Sequence, residues 1–142
     1  MAAYQLCADN VTAIINGTVI ADFAEGDILS ITPVNPSTGR TNGNNGSVVV
    51  KQRVDKDVHN IVIKVIKYSE SDIFLNSLEG QCPPVLLNGS IKESYTKDGK
   101  EGQGTWSIES GSFTTKPTDG FNNQDGSPIV EYTIQANCKR TI

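Results

Sequence analysis

The chain has 142 residues, of which 37% are hydrophobic and 20% are charged, a composition typical of one globular domain. Its formal net charge of −4 argues against a general nucleic-acid binder, because such proteins usually carry a basic surface. No apolar run approaches the roughly 20 residues of a membrane-spanning helix, and no basic segment followed by an apolar one opens the chain, so we expect neither a membrane anchor nor a secretory signal.

Frequent turn signals predict a mainly β protein. Asn-Gly and Asp-Gly pairs separate short β-rich runs, a pattern typical of an antiparallel sandwich or barrel. Residues 11–15 and 18–20 flank Asn16-Gly17, which predicts a hairpin with a type I′ turn. Further strands are predicted at 28–34, 47–54, 59–67, 87–95, 105–113 and 129–138, with a charged, Gly-rich turn at 97–104.

A polar stretch at 33–46 interrupts the most strand-like part of the chain. It has no apolar period, and loops of this length without structure of their own are usually functional or disordered. Its length and polarity predict an arm that contacts another subunit. The candidate contact residues are Asn35, Arg40, Asn42, Asn44 and Asn45.

The two strands after the arm predict covered surfaces. The strand at 47–54 places three apolar side chains on one face (Val48, Val50, Val54) and three polar ones on the other (Ser47, Lys51, Arg53). The strand at 59–67 carries apolar groups on both faces, so we expect both faces to be covered, either within the domain or by a neighbouring subunit.

One helix is predicted at 69–80. Ser69 and Asp72 form a capping-box pattern, acidic residues suit the first turn, and Gly80 is a natural stop. The expected apolar stripe consists of Ile73, Phe74 and Leu78.

The second half of the chain returns to strands. Leu87, Ile91 and Tyr95 are expected on one face of their strand. The last strand alternates most regularly, with inward side chains at 130, 132, 134, 136 and 138. Its outward residues include Glu131, Thr133 and Gln135.

Few residues suggest chemistry. Cys7, Cys82 and Cys138 lack metal-site spacing, so no metal is expected; the odd number leaves them as candidate inter-subunit thiols. His59, the only histidine, is read as a polar residue near a turn rather than half of a Ser-His or Cys-His pair.

Three carboxylates on predicted strands, Glu93, Glu109 and Glu131, admit a glycosidase-like pair, although a solvated face is favoured. If they line one concave surface, their charge would instead repel phosphate and let a nucleic acid pass.

Several segments in order resemble a known family. They are the 10–17 segment, the Phe-Ala-Glu-Gly-Asp turn at 23–27, the strand at 58–63 and the Ser/Asp-rich helix start at 69–78, with the pattern at 128–138. Together they resemble the tail tube proteins of contractile-tailed bacteriophages. Residues 82–127 show little likeness to this family, so the strands predicted there depend on periodicity alone.

The resemblance implies a β-sandwich or half-barrel with one flanking helix. Six copies would close a ring whose strands merge into a β-barrel, and rings would stack within a contractile sheath. The implied partners are other copies, the sheath protein, baseplate and tail terminator proteins, and DNA passing through the lumen without specific binding. The family implies a place in the virion tail, assembly in the host cytoplasm, no cofactor and no catalysis.

Two faces compete for the lumen. One is the outward face of the last strand, with Glu131, Thr133 and Gln135. The other is the Ser47, Lys51 and Arg53 face. The first is favoured, because a basic lumen would retain DNA.

Two alternatives stay open. A monomeric adhesion or carbohydrate-binding module would use an aromatic platform of Tyr95, Trp106 and Phe121. A tube protein of a related contractile injection device would share the same architecture.

Overall fold

The computed structural model describes residues 3–24, 26, 28–121 and 128–142, apart from the side chains of residues 7–9. It contains ten strands and one helix within these residues. The first strands are β1 (Tyr4–Ile15), β2 (Thr18–Ile20), β3 (Leu29–Pro33), β4 (Thr38–Asn42), β5 (Val48–Gln52) and β6 (Val58–Ile66). The helix α1 (Glu70–Leu78) follows, and then β7 (Leu87–Lys97), β8 (Lys100–Phe113), β9 (Thr118–Asp119) and β10 (Ile129–Thr141).

One antiparallel sheet contains most of the strands. Its order is β2-β1-β7-β8-β10-β6-β3, and the short β9 pairs with β10 beyond the point where β8 diverges. Strands β4 and β5 form a separate two-stranded sheet. The fold is therefore mainly β and antiparallel with one short helix, as predicted, and the sheet does not close into a barrel within one chain.

The sheet curls around a single hydrophobic core. Ile15 and Ile20 lie near one end of the strand order and belong to the same cluster as Ile61 and Ile63 near the other end. Leu29 on the opposite edge strand also packs against this cluster. The predicted inward face of the last strand is confirmed, because its five members are buried (Val130, Tyr132, Ile134, Ala136, Cys138).

Helix α1 packs against the curled sheet. The Oγ atom of Ser69 accepts a hydrogen bond from the Asp72 amide, so the predicted N-cap is confirmed, and Gly80 has the left-handed φ of 78° expected at C′. The predicted apolar stripe is partly wrong: Ile73 is exposed, and Leu75 is buried instead. Two residues correspond to about 200° around a helix, so these side chains lie on opposite faces.

The carboxylate of Asp72 stabilises this helix end in two ways. Its Oδ2 accepts the Tyr68 amide at 2.8 Å, and its Oδ1 accepts the hydroxyl of buried Tyr132 at 2.6 Å. Ser71 adds a further link, since its Oγ accepts the amides of Ala21 and Asp22. These bonds attach the helix to β10 and to the segment that connects β2 with β3.

One predicted turn is confirmed and another is shorter than predicted. The hairpin of β1 and β2 is confirmed, with φ of 49° at Asn16 and 82° at Gly17. The expected turn at 97–104 is wrong: β7 and β8 continue to Lys97 and Lys100, and only Asp98-Gly99 turns the chain. Consecutive cross-strand pairs keep even a polar segment extended.

Gly89 marks a close approach of two strands. A Cβ atom there would overlap the backbone carbonyl of Ile14 on β1. Gly89 lies opposite Ile15, at the point where the β7–β8 register shifts. Only glycine fits this contact, so the pairing of β1 with β7 depends on it.

Candidate assembly surfaces

The predicted arm folds as a hairpin. Its middle part, with Arg40 and Asn42, forms β4, which pairs with β5 across a turn at residues 43–47. At the tip, the Oδ1 of Asn45 accepts the Ser47 amide, and the Gly43 amide donates to the Ser47 carbonyl. The expectation of a structureless arm at 33–46 is thus wrong, because cross-strand hydrogen bonds extend over a polar sequence.

The hairpin base is held by specific contacts. The side-chain amide of Asn35 donates to the Asp55 carbonyl, and the Arg53 amide donates to the Ser37 carbonyl. The Arg53 guanidinium also binds the Asp55 carboxylate through two 3.0 Å bonds. These bonds lower the pKa of Asp55. The hairpin therefore leaves the body of the protein from a defined stem.

All ten residues of β4 and β5 are exposed. Val48, Val49 and Val50 are 46%, 64% and 57% exposed, and Val54 beyond the strand is fully exposed. The strand predicted at 47–54 is present as β5, but it leaves the main sheet, so no layer of the described residues lies behind its valines. An isolated two-stranded ribbon is marginally stable in water. A partner that covers these valines would stabilise it.

The hairpin faces follow from the register. Arg40 lies opposite Val50, and Asn42 lies opposite Val48, so these four residues share one face. Lys51 and Val49 lie on the other face, together with the predicted Ser47 and Arg53 positions. We name the first the valine–arginine face. No acidic residue occurs between 38 and 52.

A groove opens where the sheet fails to close. Its cavity of about 300 Å³ lies between edge strand β3 and the β1–β7 side, with Leu29 and Ile31 on one wall and Val11 and Ile91 on the other. The groove is also lined by Trp106 and Gly104 of β8 and by two charged residues, Glu93 and Arg140. We call this the β3 groove.

Sequence reasoning missed the β3 groove. Its walls come from strands at opposite ends of the sheet order, so no local pattern brings Val11 and Ile31 together. A second depression shares Ile31, Trp106 and Arg140 with it and extends to Ser37 at the hairpin stem. Groove and hairpin are thus neighbouring features of one surface.

The favoured lumen residues lie together on the outer face of the sheet. Glu131, Thr133 and Gln135 alternate with buried residues of β10 and are half-buried. Gln135 donates to the Oδ1 of Asn60 at 3.2 Å, and Glu131 lies opposite Lys64 on β6. The competing residues Ser47, Lys51 and Arg53 lie on the hairpin, away from this face.

The cysteines occupy different environments. Cys82 is exposed, whereas Cys138 is buried and burial raises the pKa of its thiol to about 11. A protonated, buried thiol is a poor partner for disulfide exchange. The side chain of Cys7 lies outside the described residues. Cys82 is therefore the accessible one of the two described thiols.

His59 is positioned by neighbouring groups in the protein. Its Nδ1 lies 2.7 Å from the carbonyl oxygen of Asp57, and its ring contacts Trp106 edge-on at a centroid distance of 5.2 Å. The same carbonyl accepts the Cys138 amide. These contacts explain why a histidine is buried at the start of β6.

The three candidate carboxylates do not converge. Glu93 lines the β3 groove, whereas Glu131 lines a shallow depression on the outer face. Glu109 on β8 lies opposite Asn137 and is exposed. A glycosidase pair requires two facing carboxyl groups. Glu93 faces the groove, and Glu109 lies opposite Asn137, six residues along β10 from Glu131, so no two of them face each other.

The aromatic residues proposed as a platform are also separate. Trp106 lines the β3 groove, and Tyr95 lines a depression near the β7–β8 turn. Phe121 lies at the other end of the fold over Lys67, whose Nζ is 3.6 Å from its ring centroid and 2.6 Å from Asp119. The three rings therefore form no shared flat surface.

The described part of the chain holds neither a metal-binding cluster nor a membrane-spanning helix. No group of three or more His, Cys, Asp or Glu side chains there is arranged to hold a metal ion. No helix there is long and apolar enough to cross a bilayer.

Comparison with solved structures identifies a similar fold. A chain in the cryo-EM structure of the anti-feeding prophage baseplate, 6-fold symmetrised, superposes with a TM-score of 0.52 at 14% identity. The match covers 92% of this chain and 90% of that chain. No protein-family model matches the sequence, and no curated protein matches it. At this identity the likeness is one of fold.

Proposed function

We propose that this chain is a structural subunit of the inner tube of a contractile tail or a related contractile injection device. Six copies form a ring, their strands complete a β-barrel, and stacked rings make a conduit for DNA or other cargo. The observation that carries the proposal is the fold likeness, over nearly the whole chain, to a component of a six-fold symmetrised prophage baseplate. The role is structural and requires no cofactor.

The open sheet supports the ring. Edge strands β2 and β3 remain unpaired on one side within the described residues, and exposed edges invite pairing with another chain. Closure of a barrel among subunits removes such edges. The half-barrel of one chain is thus suited to be completed by its neighbours.

The hairpin supports stacking. With about 3.4 Å per residue, its five-residue strands extend roughly 17 Å, enough to reach a second subunit. Its exposed valines lose solvent contact when a neighbour covers them, which favours assembly. The outer-face residues Glu131, Thr133 and Gln135 form the lumen in this arrangement, where an acidic side chain disfavours retention of DNA.

In the particle the subunit contacts further copies, the sheath around the tube, and the baseplate and terminator proteins at its ends. Its place is the tail of the virion or device, after assembly in the host cytoplasm.

Negative-stain microscopy with sedimentation velocity of the purified chain tests the proposal. We expect hollow rings or tubes with six-fold symmetry. A folded chain that stays monomeric at every concentration up to the millimolar range would refute it.

A hairpin-trimmed variant, with residues 38–52 replaced by Asn-Gly, tests the role of the arm. The Ser37 carbonyl accepts the Arg53 amide, so a two-residue turn can close there without disturbing the sheet. We expect a folded protein that no longer stacks. Normal tubes from this variant would exclude the hairpin as an inter-ring contact.

A further inference from the structure

The β3 groove and the hairpin are complementary features of the same chain. The groove is an apolar cleft with a carboxylate at Glu93, for which no ion pair forms among the described residues. The valine–arginine face of the hairpin presents Val48 and Val50 beside Arg40, whose guanidinium, within the part of the chain that the structure describes, donates to the Asn42 side chain alone. Each surface has apolar area to cover. The hairpin face carries the Arg40 guanidinium, and the groove carries the Glu93 carboxylate and the Arg140 guanidinium, neither of them in an ion pair among the described residues. Glu93 is the groove charge that is opposite to Arg40.

The hairpin does not fill the groove of its own chain. Strands β4 and β5 pair only with each other among the described strands, and no residue between 38 and 52 lines the groove. The stem leaves beside the groove and carries the ribbon away from it. The hairpin of the same chain is therefore not the occupant of the groove.

We propose that the β4–β5 hairpin of one copy docks into the β3 groove of a second copy. Val48 and Val50 pack against Ile31 and Trp106, and Arg40 pairs with Glu93 at the rim. Arg140 of the groove meets a ribbon without acidic residues, so it donates hydrogen bonds to backbone carbonyls or to Asn42. This inference deepens the proposed function, on which it rests, by naming the surface that receives the arm.

The geometry of this contact has a consequence for assembly. Hairpin and groove are different surfaces, so the contact is heterologous and repeats from copy to copy. A heterologous contact closes into a ring or continues as a filament, because any open assembly leaves one hairpin and one groove uncovered at its two ends. Such a contact suits a stacked tube and disfavours a closed dimer.

A charge swap tests the contact. Arg40→Glu and Glu93→Arg should each raise the protein concentration for half-assembly at least tenfold, because each places like charges together. The double variant should assemble within about threefold of the wild type. An equimolar mixture of the two single variants should also assemble, because each hairpin then meets an oppositely charged groove on the other variant.

A matched control uses the opposite hairpin face. Lys51→Glu makes the same change in net charge as Arg40→Glu, but on the face opposite to Val48 and Val50, and should leave assembly unchanged. All three sites are exposed, and circular dichroism verifies the fold of each variant.

Disulfide trapping locates the contact independently of charge. Val50→Cys and Gly104→Cys are placed on separate copies in a Cys7→Ser, Cys82→Ser background; Gly104 has open space for a side chain. Mixing should give a covalent heterodimer on a non-reducing gel, and Val50→Cys mixed with Ser94→Cys should not.

The outcomes separate the two proposals. Failure of the wild type to form rings or tubes refutes the proposed function. Normal wild-type assembly with no rescue in the charge-swapped double variant and no trapped heterodimer overturns the docking of hairpin into groove while leaving the function standing.

Discussion

At the scale of single residues, buried polar groups connect the helix to the sheet. Tyr132 is 1% exposed in the core, and its hydroxyl donates a hydrogen bond to the Asp72 carboxylate. Burial, together with the adjacent Asp72, raises the pKa of Tyr132 above its ordinary value. Asp72 in turn accepts the Tyr68 amide, so one carboxylate serves both a strand and the helix start.

Tyr132→Phe should lower the free energy of unfolding by about 1–3 kcal/mol, because it leaves a partly desolvated Asp72 carboxylate without its closest donor. Urea unfolding followed by fluorescence measures the change. Tyr68→Phe, at a position 76% exposed, is the matched control and should change it by less than about 0.5 kcal/mol. Equal losses in the two variants would contradict the prediction.

Cys138 should make stability depend on alkaline pH. The pKa of this thiol is raised from 9.0 to about 11 in the folded chain, so the folded state binds its proton more tightly than the unfolded state. The contribution is therefore fully present below pH 9 and is lost as the pH rises towards 11. Cys138→Ala should lose less stability than the wild type between pH 9 and 11.

Denaturant unfolding at several pH values measures this slope. Cys82→Ser, which alters an exposed thiol, should keep the wild-type slope. An unchanged slope in Cys138→Ala would show that other groups cause the alkaline loss.

At the scale of elements, two hairpins with similar turn signals behave differently. The β7–β8 hairpin lies within the sheet, where it pairs with β1 and β10 on either side. The β4–β5 hairpin has no such neighbours and projects. The difference comes from the strands beside each hairpin, and neither turn sequence reveals it.

Gly89→Ala should disrupt the junction of β1 and β7. The added methyl group overlaps the Ile14 carbonyl, which is backbone and cannot turn aside, so we expect a loss of about 2–3 kcal/mol in the free energy of unfolding. Gly104→Ala on the adjacent strand is the control, since its Cβ position is open. Thermal unfolding of both variants gives the comparison, and similar melting temperatures would contradict the close approach.

At the scale of the whole molecule, stability is unevenly distributed. The core joins both ends of the sheet through residues that are almost fully buried, whereas the hairpin contributes none of them. Regions with few buried apolar contacts open locally at low cost. The molecule therefore combines a rigid half-barrel with an arm that gains order from contact.

Hydrogen exchange should show this contrast. In the unassembled subunit, amides of β4 and β5 should exchange on the order of 100-fold or more faster than those of β6 and β10. On assembly, protection of the backbone amides should rise most in the hairpin and also in the strands around the β3 groove. Equal protection of the hairpin and the central strands in the monomer would contradict a ribbon that needs a partner.

Much of the fold follows from local patterns. The alternation in β10, the Asn16-Gly17 turn and the Ser69 cap each act between near neighbours, so their residues alone predict them. The valines of β5 predicted a strand correctly, but a strand pattern does not tell whether a core lies behind it. The sequence shows that Glu93 is charged, but no local pattern predicts that it lines a groove.

The sequence by itself determined the class of fold, the helix with its caps, the inward face of the last strand and the presence of a polar arm. Only the tertiary structure decided that the arm is a projecting hairpin, that its valines face solvent, and that β3 and β7 form a groove with Glu93 at its rim. The physical reason is the range of the interactions. Turns, caps and alternation are set by residues a few positions apart, whereas the curl of the sheet depends on strands that meet from distant parts of the chain.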